Sequence, residues 1–92
     1  MREMLVGTCD AQGEGGQTRR PRYYVLIGEM EVSGGFACES YGVKIIDADN
    51  PNEAVSVPNI TTSVSRIDEL MELLTRNSVT PEGLGDILSD WL

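Results

Sequence analysis

The 92-residue chain contains no histidine. That absence removes the usual general base, the usual partner of a serine or cysteine nucleophile, and the commonest metal ligand. Cysteine is almost as scarce: Cys9 and Cys38 lie far apart, form no Cys-x-x-Cys pair, and read as the reduced thiols of an intracellular protein. Long apolar runs are missing too. Nothing approaches the ~18 consecutive apolar residues that span a bilayer. In the first eight residues the only apolar run is Met4-Leu5-Val6, too short for a secretory segment. The expected location is therefore the cytoplasm, and no membrane association, cofactor or metal is expected.

Positive charge is sparse and unevenly placed. The net charge is −8. Residues 1–22 hold Arg2, Arg19, Arg20 and Arg22 against Glu3, Asp10 and Glu14, whereas residues 23–92 hold only Lys44, Arg66 and Arg76 against all the remaining carboxylates. An acidic body repels phosphate backbones, so nucleic acid is not an expected partner. Arg19-Arg20-Pro21-Arg22 reads as a solvated segment rather than an anion site.

What is present specifies one small α+β domain, residues 1–92. A chain this short buries roughly 60–65% of the surface its unfolded form exposes, so its core has little to spare. Glu3 to Cys9 reads as a short strand, with the glycine-bearing stretch Asp10 to Gln17 as a loose hairpin loop; the alternative for residues 1–20 is a mobile tail. Arg22 to Val32 is the clearest strand, rich in β-formers from Tyr23 to Ile27. Downstream, Met30 and Val32 alternate with Glu29 and Glu31, which assigns Tyr24, Leu26, Met30 and Val32 to the inner face. Ser33-Gly34-Gly35 is a turn. Ala37 to Asp47 is the next strand, with Tyr41, Val43 and Ile45 on one face and Lys44 on the other; Asp47 to Glu53 turns again, and Ala54 to Pro58 is a further short strand. Short connections between successive strands predict an antiparallel meander of three or four strands.

The apolar period then changes from two to 3.6. Val64, Ile67, Leu70, Met71 and Leu74 make one helical stripe, and Leu84, Ile87, Leu88 and Trp91 a second. Thr61, Thr62 or Ser63 caps the first helix and Asn77 closes it; Thr80-Pro81-Glu82 opens the second. The expected architecture is the meander covered on one face by this C-terminal αα-hairpin.

Arg22-Tyr23-Tyr24-Val25-Leu26, Ser40-Tyr41-Gly42-Val43-Lys44-Ile45 and the ending Val79-Thr80-Pro81-Glu82-Gly83-Leu84-Gly85-Asp86-Ile87-Leu88-Ser89-Asp90-Trp91-Leu92 resemble a family of short uncharacterised proteins from Gram-positive bacteria. The resemblance runs from Arg22 to Leu92. It implies a bacterial domain of unknown function and supplies no activity or site. Gly83 and Gly85 stand where the family often carries bulkier polar residues, which weakens the first turn of the last helix.

No constellation carries chemistry. Asp47-Ala48-Asp49-Asn50-Pro51-Asn52-Glu53 opens like a calcium loop but puts Pro51 at the third ligand position and lacks the closing glutamate, so it reads as an acidic turn. Glu29 and Glu31 share a strand face with no sign of a cleft around them. Asp86 and Asp90 crowd the negative end of the last helix, which requires a nearby cation, a partner or a frayed end. The outer sheet face is the expected partner-binding surface, formed by Tyr23, Val25, Ile27 and Ile46 with only Met4 and Val6 available to cover it. The expected function is a small non-enzymatic interaction or regulatory module, homodimeric through that face; the alternative is a small enzyme or cation-binding protein using surface carboxylates.

Overall fold

Three strands of equal length dominate the chain, and the two helices lie across only part of them. The structure, a computed structural model, describes residues 2–9, 11–12 and 18–91. In chain order the elements are β1 (Arg2–Thr8), β2 (Ala11–Gln12), β3 (Thr18–Arg19), β4 (Pro21–Val32), β5 (Phe36–Asp47), β6 (Asn50–Thr61), α1 (Val64–Arg76), a single 3-10 turn (Pro81–Gly83) and α2 (Leu84–Trp91). β1, β4, β5 and β6 form one antiparallel sheet in that order. This is the α+β meander with a C-terminal helix pair that the periodicities predict.

β1 pairs with β4 from Arg2↔Ile27 to Thr8↔Arg22, with a bulge between Leu5 and Gly7. The ladder continues past Cys9, whose amide donates to the Pro21 carbonyl at 3.1 Å, into the β2–β3 pairs Ala11↔Arg19 and Gln12↔Thr18. Most of the stretch expected as the hairpin loop, Asp10 and 13–17, lies outside the described residues. Gly34 and Gly35 take φ of 90° and 78° in the β4–β5 turn, the left-handed region that only glycine enters without strain. β6 begins at Asn50, because the turn before it tightens to Ala48-Asp49, and runs past Pro58 to Thr61, which pairs with Tyr41 beyond a register shift.

The helix pair covers the face carrying Tyr23, Val25, Val43 and Ile45, which pack with Ile67, Leu70, Met71, Leu74, Leu84 and Leu88 into one core. This inverts the expected faces of β4. Tyr23 is fully buried and Val25 only 5% exposed, both facing the helices, and Ile27 packs against the same core. Tyr24 and Leu26 face the other way, because Tyr23 pairs with Ile45 and Val25 with Val43. The misleading signal was the Glu29–Val32 alternation. That part of β4 extends beyond the helices, where the helix-side direction is solvent and carboxylates are welcome.

The helix ends are set locally. Ser63 Oγ accepts from the Arg66 amide at 3.3 Å and caps α1. Asn77 Nδ2 donates to the Leu73 carbonyl at 2.8 Å, but the left-handed residue that turns the chain is Ser78, φ 49°. Thr80 makes no side-chain cap, and Pro81–Gly83 winds as a 3-10 turn before α2 begins at Leu84. Val64, expected on the inner stripe, is exposed at the first position of α1.

Candidate interaction surfaces

The middle of the outer sheet face is covered by the chain itself. Opposite Gly42, β6 shifts register between Val57 and Thr61 and folds over that face; a Cβ on Gly42 would lie 2.3 Å from the Val57 carbonyl oxygen. Ser40, itself buried, donates from Oγ to Asn59 Oδ1 at 2.5 Å and pins the fold-over, while Asn59 takes a positive φ of 55° to make it. On the other side of β4, Lys44 reaches across the strand to Glu3, Nζ to Oε1 2.9 Å, and passes over the Tyr24 ring at 5.7 Å. Leu26, registered between Glu3 and Gly42, is consequently only 4% exposed.

The four residues expected to form a partner surface therefore do not make one. Tyr23, Val25 and Ile27 belong to the helix side, and Ile46, half-buried, lies on the opposite face. The sequence reading also missed where the free surface is. It lies along the β1 edge of the sheet.

Two stretches of that edge differ in character. The first is β1 itself, whose far side has no strand partner among the described residues and whose Met4, Leu5 and Val6 are all exposed. Its charges, Arg2 and Glu3, balance. The second is the end of β4. β1 stops at Ile27 and β6 stops opposite Tyr41, so Gly28–Val32 and Phe36–Ser40 project as a two-stranded arm along a molecule 52 Å long and 24 Å wide. One face of the arm carries Glu29, Glu31 and Glu39; the other carries Met30 and Cys38, with Phe36 near the tip 71% exposed. At its root a hollow of about 300 Å³ is lined by Arg2, Ile27, Gly28, Glu29 and Glu39. There Tyr41 Oη donates to Glu39 Oε1 at 2.8 Å, a bond that holds the phenol above its ordinary value, and Arg2 approaches Glu39 at 3.5 Å.

The remaining candidates are structural. Asp47, buried at the end of β5, accepts from the Asp49 amide at 3.0 Å as a turn side chain does. Among the described residues no three of Cys, Asp and Glu converge as a metal site would require. The end of α2 stays helical through Trp91, over whose ring the Arg66 guanidinium stacks at 4.2 Å. The buried Tyr23 hydroxyl donates to the Val79 carbonyl at 2.8 Å, and burial, then neighbouring Cys9, holds its pKa well above the ordinary value. Cys9 itself donates to the Thr75 carbonyl, Sγ to O 3.3 Å.

A family model described as a family of unknown function, DUF6514, matches residues 2–92. The chain belongs to that family. The match includes β1 and the β2–β3 ribbon as well as the sheet and helices, so the N-terminal hairpin is part of the family's domain and extends the resemblance seen from Arg22 onward. No curated protein and no solved structure matches the chain. Among the described residues, no helix is long and apolar enough to cross a membrane.

Proposed function

We propose that this domain is a small cytoplasmic protein-interaction module, not an enzyme, and that it works as a homodimer joined along β1. The observation that carries the reading is the β1 edge: three consecutive exposed apolar residues on a strand with one side unpaired among the described residues. Such an edge is a template for another strand, and proteins that keep it free usually blunt it with charge or proline. Here Met4-Leu5-Val6 offers neither, and the bulge between Leu5 and Gly7 leaves Arg2–Leu5 as the regular stretch open to pairing. An antiparallel pairing of β1 with its copy sets this apolar segment against itself and joins the two sheets into one of eight strands.

Charge permits a second copy at this place. The body of the domain is strongly acidic, so two copies repel wherever Asp and Glu meet, while β1 carries one Arg and one Glu. The same acidity disfavours nucleic acid and anionic membranes as partners. The unpaired Cys9 and Cys38 fit a reducing compartment.

Light scattering on the purified chain tests the reading. The expected mass is twice the 10.0 kDa of the chain, falling toward one chain on dilution. Leu5→Lys, at an exposed position, is expected to remain folded and give the single-chain mass at every concentration. A wild-type protein that stays at one chain when concentrated, or a Leu5→Lys dimer, would contradict it.

A further inference from the structure

We propose that the free edge of β4 from Gly28 to Val32 is a second docking site, one that takes an extended segment of another protein in which basic and apolar residues alternate. The inference goes beyond the homodimer, which uses β1 and leaves this edge unoccupied.

The edge is available. β1 covers β4 only as far as Ile27, and among the described residues no strand lies beyond it. In an antiparallel pair every second residue turns its N–H and C=O away from its partner, so this stretch of β4 presents main-chain donors and acceptors to solvent on the side away from β5. A strand added there would lie in line with β1. The hollow of about 300 Å³ beside Arg2, Ile27, Gly28 and Glu29 leaves room for its end without displacing β1.

Side chains say what kind of strand fits. Glu29 and Glu31 are exposed on one face and make no ion pair with any described residue. Met30 points to the other face, beside Cys38 of β5, and Gly28 adds no side chain there. A strand pairing here places alternate residues on the same two faces. Its first set meets two carboxylates and is therefore Lys or Arg; its second set meets Met30 and is therefore apolar. Cross-strand pairs of opposite charge stabilise, whereas like charges directly opposite destabilise. A second copy of this edge would bring Glu29 and Glu31 against their own kind, so the charges that exclude a copy select a basic partner. The other edge of the arm is not equivalent. On β5, Glu39 is already engaged by Arg2 and Tyr41, and Ser40 is bonded to Asn59.

The probe is a synthetic peptide of about eight residues, an ordinary strand length, alternating lysine and valine. Amide hydrogen exchange of the full chain with this peptide is expected to show new protection confined to β4 beyond Ile27. Affinity should fall as salt rises. The Glu29→Lys, Glu31→Lys double variant changes two exposed positions; it should lose roughly tenfold in affinity for the basic peptide and gain affinity for the counterpart with glutamate in place of lysine. Absence of protection on Gly28–Val32, or equal binding of the acidic peptide to the unaltered chain, would overturn the proposal. A dimer by light scattering with no peptide protection removes this site alone. Protection along β4 in a chain that stays monomeric removes the dimer and leaves this site standing.

Discussion

Gly42 and Tyr23 show how far one residue's environment decides what it tolerates. A methyl group on Gly42 would sit 2.3 Å from the Val57 carbonyl oxygen and 2.6 Å from Pro58 Cα, both backbone, so neither can swing aside. Gly42→Ala should destabilise the fold by at least about 2 kcal/mol, since β6 must leave the outer face to make room. Gly85 is the contrast: nothing lies within 4 Å of a Cβ there, so Gly85→Ala in α2 should stabilise by up to about 1 kcal/mol. Melting curves of the two variants separate in opposite directions if the fold-over is real. The cost of Gly85 in the last helix was legible in the sequence, whereas the crowding at Gly42 was not, because it depends on where β6 crosses β5.

Tyr23 links this scale to pH. Its hydroxyl satisfies the buried Val79 carbonyl, so Tyr23→Phe should cost about 1–2 kcal/mol at neutral pH. Because burial raises its pKa above the ordinary value of 10.0, the folded state holds the phenol proton more tightly than the unfolded chain does. The stability this contributes is complete below pH about 10 and is lost as pH rises above it. Denaturant midpoints measured from neutral to strongly alkaline pH should decline less steeply in Tyr23→Phe than in the unaltered chain. Parallel curves would show that Tyr23 does not carry the alkaline dependence.

At the scale of elements, β4 is the instructive case. Its Tyr23–Ile27 run is apolar at both parities, so the alternation that followed was the available clue to its phase. That clue came from the arm, where no helix lies above the strand, and it pointed the wrong way. β5 was legible: Tyr41, Val43 and Ile45 share the helix side, and Lys44 opposes them. The helices were legible too, because their stripes face a core rather than a choice. Lys44 supplies a test of how the outer face is closed. Its ion pair with Glu3 is half open to water, so Glu3→Gln should change stability by less than about 0.5 kcal/mol. Lys44→Ala removes the aliphatic stem lying across β4 beside Leu26 and Tyr24 and should cost about 1 kcal/mol. Equal losses in chemical denaturation would mean that charge, not packing, seals that face.

The whole molecule divides into a covered body and an uncovered edge. The helix pair is committed to the core, the middle of the outer face is covered by β6 and the Lys44 strap, and Met4-Leu5-Val6 is a run of consecutive exposed apolar residues on one strand. In the sequence this run looked merely short, since its partner strand and its free side are facts of topology. The arm was hidden for the same reason: nothing in β4 or β5 announces where their neighbours stop. The two stretches of edge also differ in the way a specific assembly needs, the neutral one suited to a copy and the acidic one closed to it.

The central claim is that β1 is the seam between two copies. Amide hydrogen exchange across Arg2–Thr8, followed at high and low protein concentration, tests it most directly. The account predicts that β1 amides facing away from β4 are protected when the protein is concentrated, and exchange freely on dilution or in Leu5→Lys. Exchange at those amides that is fast and identical at every concentration would contradict it.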